Sequence, residues 1–215
     1  LILIASESIC PQPVREATSN VFSNIYAEGY PAERLYDEER DRLDEMPRQL
    51  ALLRRYQDRR FYKGTEYADL VEAMAIRRAQ YLFATDKYPG HPNPTSPDEI
   101  YVNVQAHAGA SANNAVYNAF LEPGDVLMGL KLDHGGHLTH GSEFNRSGAT
   151  YKIVHYGIDP KTGHISYDEI REKAHQFKPK MLIAGASAYP WEMDFVKLRE
   201  ICDETGTILF ADVAH

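Results

Sequence analysis

The sequence MLIAGASAYPWEMDFVKLREICDETGTILFAD, residues Met181 to Asp212, has the clearest pattern of alternating strand and helix in the chain. Its apolar runs, Met181–Ala184 and Thr207–Ala211, predict β-strands, and the residues between them predict a helix over Phe195–Thr205. Gly206 is the residue type that commonly ends such a helix. A strand, a helix and a second strand in this order form the unit from which parallel sheets are built.

The same alternation extends back to Ile100. We predict further strands over Ile100–Gln105, Val126–Leu130 and Tyr151–Val154, and helices over Ser111–Leu121 and Tyr167–Phe177. Strands that alternate with helices at this spacing indicate an α/β fold, with a mostly parallel sheet covered by helices on both faces.

The residues before Ile100 predict helices and loops. We expect a helix over Val14–Phe22 and a charged helical hairpin over Asp37–Arg60 that is solvated or faces a partner. Pro47 should start a new helix or kink the old one. The proline-rich segment Tyr88–Pro97 predicts a loop.

A longer helix is predicted over Thr65–Phe83, with Thr65 as its N-cap. Its apolar residues at helical spacing predict one buried stripe. This stripe consists of Val71, Ala75, Ala79 and Leu82, widened by Leu70 and Met74.

Composition excludes several classes of protein. The net charge of −8 over 215 residues argues against a general binder of nucleic acid or of anionic membranes. No apolar run approaches the roughly 20 residues that span a bilayer. Two cysteines, Cys10 and Cys202, fit a reducing compartment, and we expect a cytoplasmic protein. The start at Leu1 instead of Met indicates a fragment of a longer chain.

The block LDHGGHLTHGS, residues 132–142, holds His134, His137 and His140, three of the nine histidines. Such a block is a solvated surface loop, a metal site or one wall of a cofactor pocket. A metal site would add Asp212 and His215. We disfavour it because the histidine spacing suits no common helical ligand pair and no HExxH motif is present.

Three groups follow predicted strands, where open α/β sheets bind ligands. The small residues 108–110 lead into a helix, so they serve tight packing or hold a phosphate. Ser187 follows the Met181 strand. Asp212 follows TILFA, where it caps the next structure or neutralises a buried cation such as a protonated ring nitrogen or a metal. His215 could join it.

Long stretches resemble the serine hydroxymethyltransferase family of pyridoxal-phosphate enzymes in one-carbon metabolism. The matching text occurs in the family's order and includes LIASES, NIYAEGYP, FYKGTEYADLVEAMAIRRAQYLF, YVNVQAHAGASANNAVYNAFLEPGD, LDHGGHLTHGS, HYGIDPKTGHISYDEI, KPKMLIAGASAYP and ILFADVAH. YAEGYP and HGGHLTHGS are highly specific to this family.

The resemblance implies an aspartate-aminotransferase-like fold. Residues 1–65 would be an N-terminal arm with a charged helical insert at about 35–60, and residues 66–215 the first part of the large pyridoxal-phosphate domain. The implied reaction interconverts serine and glycine and transfers a one-carbon unit to tetrahydrofolate. The family also implies a homodimer or tetramer whose subunits share active sites.

Residue roles carry over for the cofactor. The resemblance implies that His137 stacks on the pyridine ring and that Asp212 pairs with its protonated nitrogen. Ser187 and His215 would hydrogen-bond on the side of the ring's phenolic oxygen. Ala108, Gly109 and Ala110 would hold the phosphate at the helix N-terminus.

Further roles carry over for the substrates. Ser6 resembles the residue that helps hold the amino-acid carboxylate, and Glu28 the glutamate that moves a proton near the hydroxymethyl group and the folate. Tyr26 and Tyr62 resemble tyrosines that reach into the neighbouring subunit's site, one towards the phosphate. The residues that fall where the family lines its folate pocket are Phe61, Leu132, Gly136 and Leu138.

The chain also departs from the family. Ala108 stands where the family usually has serine, a loss that Ser111 could offset; Phe61 replaces a tyrosine, and Lys63 a glycine. Two inserts lie at about 35–60 and 88–98. The family's TTTTHK stretch, with the Schiff-base lysine, does not occur in the 215 residues, so this chain alone is expected to be inactive.

Two alternatives remain open. The first is a divergent pyridoxal-phosphate aldolase or hydroxymethyltransferase. The second is a non-catalytic homologue whose charged insert binds a protein partner.

Overall fold

The computed structural model describes residues 4–56 and 59–215. Residues 10–105 form one compact unit, which we call the helical unit, and residues 4–9 with 106–215 form another, the α/β unit. The predicted boundary at residue 65 falls inside the helical unit. The assignment of an arm and a cofactor domain therefore stays a prediction. Gln57 and Asp58, inside the predicted insert, lie outside the described residues.

The helical unit contains α1 (Gln12–Thr18), α2 (Arg40–Leu43), α3 (Met46–Tyr56) and α4 (Glu66–Phe83). The predicted helix Val14–Phe22 is wrong in extent, because α1 ends at Thr18 and a 3₁₀ turn follows over Val21–Asn24. The side chain of Asn20 accepts a hydrogen bond from the Phe22 amide and so caps this second turn. Pro47 lies in the first turn of α3, where proline is tolerated, so it starts a new helix.

The insert packs against α4. Leu43 and Leu53 are buried in one cluster with Leu70 and Ala73 of α4. The expectation of a solvated hairpin is therefore wrong for Leu43 and Leu53, which are covered within the helical unit.

The predicted buried stripe of α4 is correct at Leu70, which is buried, and wrong at Val71 and Leu82. Val71 and Leu82 are 52% and 67% exposed. The buried face of α4 is centred away from Val71 and Leu82 and includes three polar residues; its members are Asp69, Leu70, Ala73, Ile76, Arg77 and Gln80. Arg77 bonds Asp98, and Gln80 donates to the Ile100 carbonyl. Counting apolar residues missed this face because polar partners accompany its burial.

The predicted strand Ile100–Gln105 is not a strand in the part of the chain that the structure describes. The segment Ile100–Gln105 forms hydrogen bonds with side chains of α4 instead of with a neighbouring strand. Gln80 Nε2 donates to the Ile100 carbonyl at 2.9 Å, and Gln105 Nε2 donates to Glu72 Oε1 at 2.7 Å. The loop predicted over Tyr88–Pro97 is confirmed.

The α/β unit contains β1 (Val126–Leu130), β2 (Lys152–Tyr156), β3 (Met181–Gly185) and β4 (Ile208–Asp212). These strands form one sheet in the order β2-β1-β3-β4, and every pair is parallel. The helices of this unit are α5 (Gly109–Phe120), α6 (Arg146–Thr150), α7 (Tyr167–Phe177) and α8 (Phe195–Thr205). The predicted α/β fold with a parallel sheet is confirmed.

Helices cover both faces of this sheet. Met128 and Leu182 pack with α7 and α8 through residues such as Ile170 and Ile201. The strand residues that point to the other face form a second cluster with α5. The members of this cluster include Tyr117, Leu121, Leu127, Met181 and Ile183. Parallel strands end at one edge of a sheet, so the segments that follow β1, β3 and β4 meet there. In residues 4–56 and 59–215, no helix is both long and apolar enough to cross a bilayer.

Candidate active site

The loop after β1, residues 132–142, is fastened to the segment after β3. The Gly135 carbonyl accepts hydrogen bonds from the amides of Ser187 and Ala188, at 2.8 and 3.1 Å. Gly135 has a positive φ of 100°, and a Cβ there would lie 2.6 Å from the Tyr189 nitrogen. A Cβ at Gly136 would lie 2.1 Å from the Leu130 carbonyl oxygen. Both glycines are therefore required for the backbone to pass this close to its neighbours.

Asp212 ends β4 as a largely buried carboxylate, with its side chain 17% exposed. Its Oδ2 accepts hydrogen bonds from His140 Nε2 at 2.8 Å and from Asn113 Nδ2 at 2.9 Å. The bond from His140 lowers the pKa of Asp212 to about 2, with a further contribution from Asn113, although burial acts in the opposite direction. Asp212 is therefore ionised at neutral pH.

The tautomer of His140 follows from its second bond. The His137 amide donates to His140 Nδ1 at 3.3 Å, so this nitrogen carries no proton and Nε2 is the donor to Asp212. Asn113 is a neutral donor as well. These two bonds hold the carboxylate without a cation, so it keeps its negative charge for a further partner.

A second chain of hydrogen bonds orients His137. Asn113 Nδ2 also donates to Thr139 Oγ1 at 2.8 Å, and Thr139 Oγ1 lies 2.7 Å from His137 Nδ1. The Thr139 amide donates to the same nitrogen, so Nδ1 is an acceptor and the hydroxyl donates to it. Burial, followed by the nearby His140, lowers the pKa of His137. The imidazole is therefore uncharged at neutral pH, with its proton on Nε2.

A cavity of about 370 Å³ collects most of the residues predicted for the cofactor. The predicted residues that line it are Ser6, Ala108, Gly109, Ala110, His137, Ser187, Asp212 and His215. The structure thus brings together segments that are far apart in the sequence.

The N-terminus of α5 faces this cavity. The first bond inside the helix runs from the Ala112 amide to the Ala108 carbonyl, so the amides of Gly109 and Ala110 precede it. The Ser111 hydroxyl donates to the Ala108 carbonyl at 2.7 Å and accepts from the Ala108 amide at 3.2 Å. Because its proton is already used, Ser111 offsets the loss of a serine at position 108 only by giving up this bond.

These residues fit the cofactor that the resemblance implies. Asp212 supplies a negative charge for a protonated ring nitrogen, and His137 supplies a flat, uncharged ring. The amides at the start of α5 and the helix dipole suit a phosphate. A Cβ at Gly109 would meet no atom within 4 Å, so this end of the helix has open space beside it.

Other predicted residues lie elsewhere, and their roles stay predictions. Leu132 lines a separate cavity of about 630 Å³ in the α/β unit. Leu138 is 45% exposed. The four predicted residues in the helical unit are Tyr26, Glu28, Phe61 and Tyr62. The rings of Tyr26 and Tyr62 lie 5.8 Å apart, and the Phe61 amide donates to the Glu28 carbonyl.

Among the described residues, no group of three or more His, Cys, Asp or Glu side chains is arranged to hold a metal ion. His134, from the same block, accepts a hydrogen bond at Nδ1 from the Ile158 amide. It therefore belongs to the framework of the loop.

Sequence reasoning assigned no role in the site to three buried polar residues: Asn113, Thr139 and His140. A signal for Asn113 was present, because helical spacing places it on one face with Gly109 and Tyr117. The sequence analysis grouped His140 with Asp212 only in the disfavoured metal site, and it did not predict the hydrogen bond between them.

Comparison with known protein families matches residues 52–215 to the family described as Serine hydroxymethyltransferase. The match covers more than half of the chain and includes α4, the whole sheet, the loop 132–142 and Asp212. The chain therefore belongs to the serine hydroxymethyltransferase family, a family of pyridoxal-phosphate-dependent transferases.

Proposed function

We propose that the protein interconverts serine and glycine, and that it transfers the one-carbon unit to tetrahydrofolate with pyridoxal phosphate as its cofactor. The observation that carries this proposal is the state of Asp212. It is an ionised carboxylate held by two neutral donors beside a cavity, and such a group favours a bound cation.

Asp212 keeps a proton on the ring nitrogen of the bound cofactor. Both of its hydrogen bonds from His140 and Asn113 fall on Oδ2, which leaves Oδ1 for this partner. When bound, pyridoxal phosphate supplies an electron sink for the pair released at the substrate's α-carbon. Asp212 would hold its negative charge at the nitrogen without rearrangement, because His140 and Asn113 already fix its carboxylate.

His137 packs its uncharged ring against the cofactor. Its Nδ1 is occupied by Thr139, so the imidazole is fixed in orientation as well as in tautomer. The amides of Gly109 and Ala110 bind the phosphate, and Ser187 and His215 lie in the same cavity, where they can reach the phenolic oxygen.

The substrate is held by groups at the edge of this site. Ser6 lines the cavity and binds the amino-acid carboxylate. Glu28 moves a proton at the hydroxymethyl group of the substrate, and Phe61, Leu132, Gly136 and Leu138 contact the folate. Tyr26 and Tyr62 act in a neighbouring subunit's site, so the active form is a homodimer or tetramer.

The test is the reaction of the full polypeptide encoded by the gene. With pyridoxal phosphate present, serine should yield glycine at a rate that depends on added tetrahydrofolate. Equal rates with and without the folate would support the alternative of a divergent aldolase, which needs no one-carbon acceptor. No turnover of serine in either case would contradict the proposal.

The non-catalytic alternative assigned partner binding to the charged insert. Leu43 and Leu53 of the insert instead pack against α4 within the same unit, so these two side chains are not exposed to a partner.

A further inference from the structure

The C-terminal end of the insert meets the loop that carries Glu28. Gly29 and Arg60 form an isolated antiparallel bridge. The Tyr30 amide donates to the Arg59 carbonyl at 3.1 Å, and the Phe61 amide donates to the Glu28 carbonyl at 3.0 Å. The chain therefore returns from the insert directly beside the loop that carries Glu28.

The side chain of Arg60 holds the backbone on both sides of Glu28. This side chain is 2% exposed. Its Nη1 donates to the Ala27 carbonyl at 2.6 Å and to the Gly29 carbonyl at 3.0 Å. Since these carbonyls flank Glu28, one guanidinium nitrogen fixes the peptide on either side of that residue.

The other guanidinium nitrogens of Arg60 bind α4. Nε donates to Asp69 Oδ1 at 2.5 Å, and Nη2 donates to Glu72 Oε2 at 2.6 Å. Gln105 adds a parallel connection, because its Nε2 donates to the Gly29 carbonyl and to Glu72. The loop is thus fixed to an 18-residue helix and not to another loop.

This arrangement needs a planar fork of donors. Arginine presents N–H groups in several fixed directions, so one side chain spans two carboxylates and two carbonyls. Lysine keeps the charge but has one nitrogen, which cannot reach the helix and the loop at once. Glu28 itself is exposed, so the held backbone determines where its carboxylate is presented.

We infer that Arg60 is a positioning residue for Glu28, which it fixes to α4 at the point where the insert rejoins the chain. The inference rests on the proposed function for the role of Glu28. Arg60 touches no substrate in this account. It acts only through the backbone of residues 27–29.

We call the bonds from Arg60 to residues 27–29 and to α4 the clamp. The first experiment tests the clamp by a measurement that does not depend on enzyme activity. Amide hydrogen exchange at Tyr30 and Phe61 should become about 10-fold faster or more in Arg60→Lys, because these amides are protected by the bridge. Arg55→Lys, on α3, is the matched control and should leave both rates unchanged. Gln105→Leu removes one bond to Gly29 and keeps the ion pairs of Arg60, so it gives a smaller increase even where Arg60→Lys folds poorly. Unchanged exchange in both variants would overturn the clamp.

The second experiment is a double-mutant cycle on kcat in the full polypeptide. We expect Arg60→Lys to lower kcat by roughly 10- to 100-fold, since displaced catalytic groups cost rates of this order. The KM for serine should change little. In a Glu28→Gln background, Arg60→Lys should cause no further loss, because both changes remove one contribution.

An equal loss of kcat in both backgrounds would show that Arg60 is merely structural, and this would overturn the inference. Wild-type kcat in Arg60→Lys would overturn it too. If the wild type itself does not convert serine, the proposed function fails. Hydrogen exchange then still decides whether the clamp exists.

Discussion

Asp212 of the α/β unit and Asp69 of the helical unit are both carboxylates removed from solvent, but their partners differ. Asp69 is fully buried and pairs with the guanidinium of Arg60, so its charge is cancelled within the unit. Asp212 is held by a histidine Nε2–H and an asparagine amide, which leave its charge in place. Burial of a carboxylate alone therefore does not mark a functional site. The charge of its partners does.

The largest expected effect is on the paired carboxylate. Asp69→Ala should lower the free energy of unfolding by about 3–5 kcal/mol, because it removes one partner of Arg60 in a buried ion pair. Urea denaturation followed by circular dichroism measures this change. Asp168→Ala, whose side chain is fully exposed on α7, is the control and should stay within about 0.5 kcal/mol. A loss below about 1 kcal/mol for Asp69→Ala would show that the pair of Asp69 with Arg60 does not stabilise the unit as a buried ion pair.

For Asp212, we expect a substitution to lower enzyme activity. Asp212→Asn keeps an acceptor for His140 but removes the charge, so kcat/KM for serine should fall roughly 100-fold. Steady-state kinetics of the full polypeptide measure this loss, with Asp168→Asn as the charge-matched control. Near-normal turnover of Asp212→Asn would remove Asp212 from the mechanism.

A smaller effect is expected in the pH dependence of the free energy of unfolding, where Asp212 should stabilise the protein more at neutral pH than at acidic pH. The pKa of Asp212 falls from 3.8 to about 2 on folding. A depressed carboxyl pKa adds stability above the unfolded value, and we expect about 2 kcal/mol at neutral pH that is lost as pH falls from 4 towards 2. The difference in unfolding free energy between wild type and Asp212→Asn should therefore shrink to roughly half at pH 3. A difference that does not change between pH 6 and pH 3 would contradict this origin.

The smallest expected effect concerns the chain from Asn113 to His137. Thr139→Val removes the hydroxyl that accepts from Asn113 and donates to His137 Nδ1, so it should cost about 1 kcal/mol of stability. The His137 ring should also turn more freely, which NMR of its ring protons would detect. Unchanged stability together with an unchanged spectrum would remove Thr139 from the network.

The sequence predicted the α/β unit well because its strands are short apolar runs. Val126–Leu130 was predicted with its observed bounds, as were the helices Tyr167–Phe177 and Phe195–Thr205. Strands buried by helices on both faces are apolar at nearly every position, so local composition was sufficient.

Local composition failed where polar groups are buried with their partners. In α4 the buried face includes Asp69, whose partner Arg60 comes from the end of the insert. In the site, Asp212 bonds His140 and Asn113, which lie 72 and 99 residues away in the chain. The tertiary fold brings such partners together, so the periodicity of the sequence does not predict them.

In the proposed function, the uncancelled charge of Asp212 holds pyridoxal phosphate. A titration of the full polypeptide with pyridoxal phosphate, followed by calorimetry, tests this most directly with wild type, Asp212→Asn and Asp168→Asn. We predict that Asp212→Asn weakens binding by about 10-fold or more, which is about 1.4 kcal/mol, while Asp168→Asn binds like the wild type. Equal dissociation constants for wild type and Asp212→Asn would contradict the account.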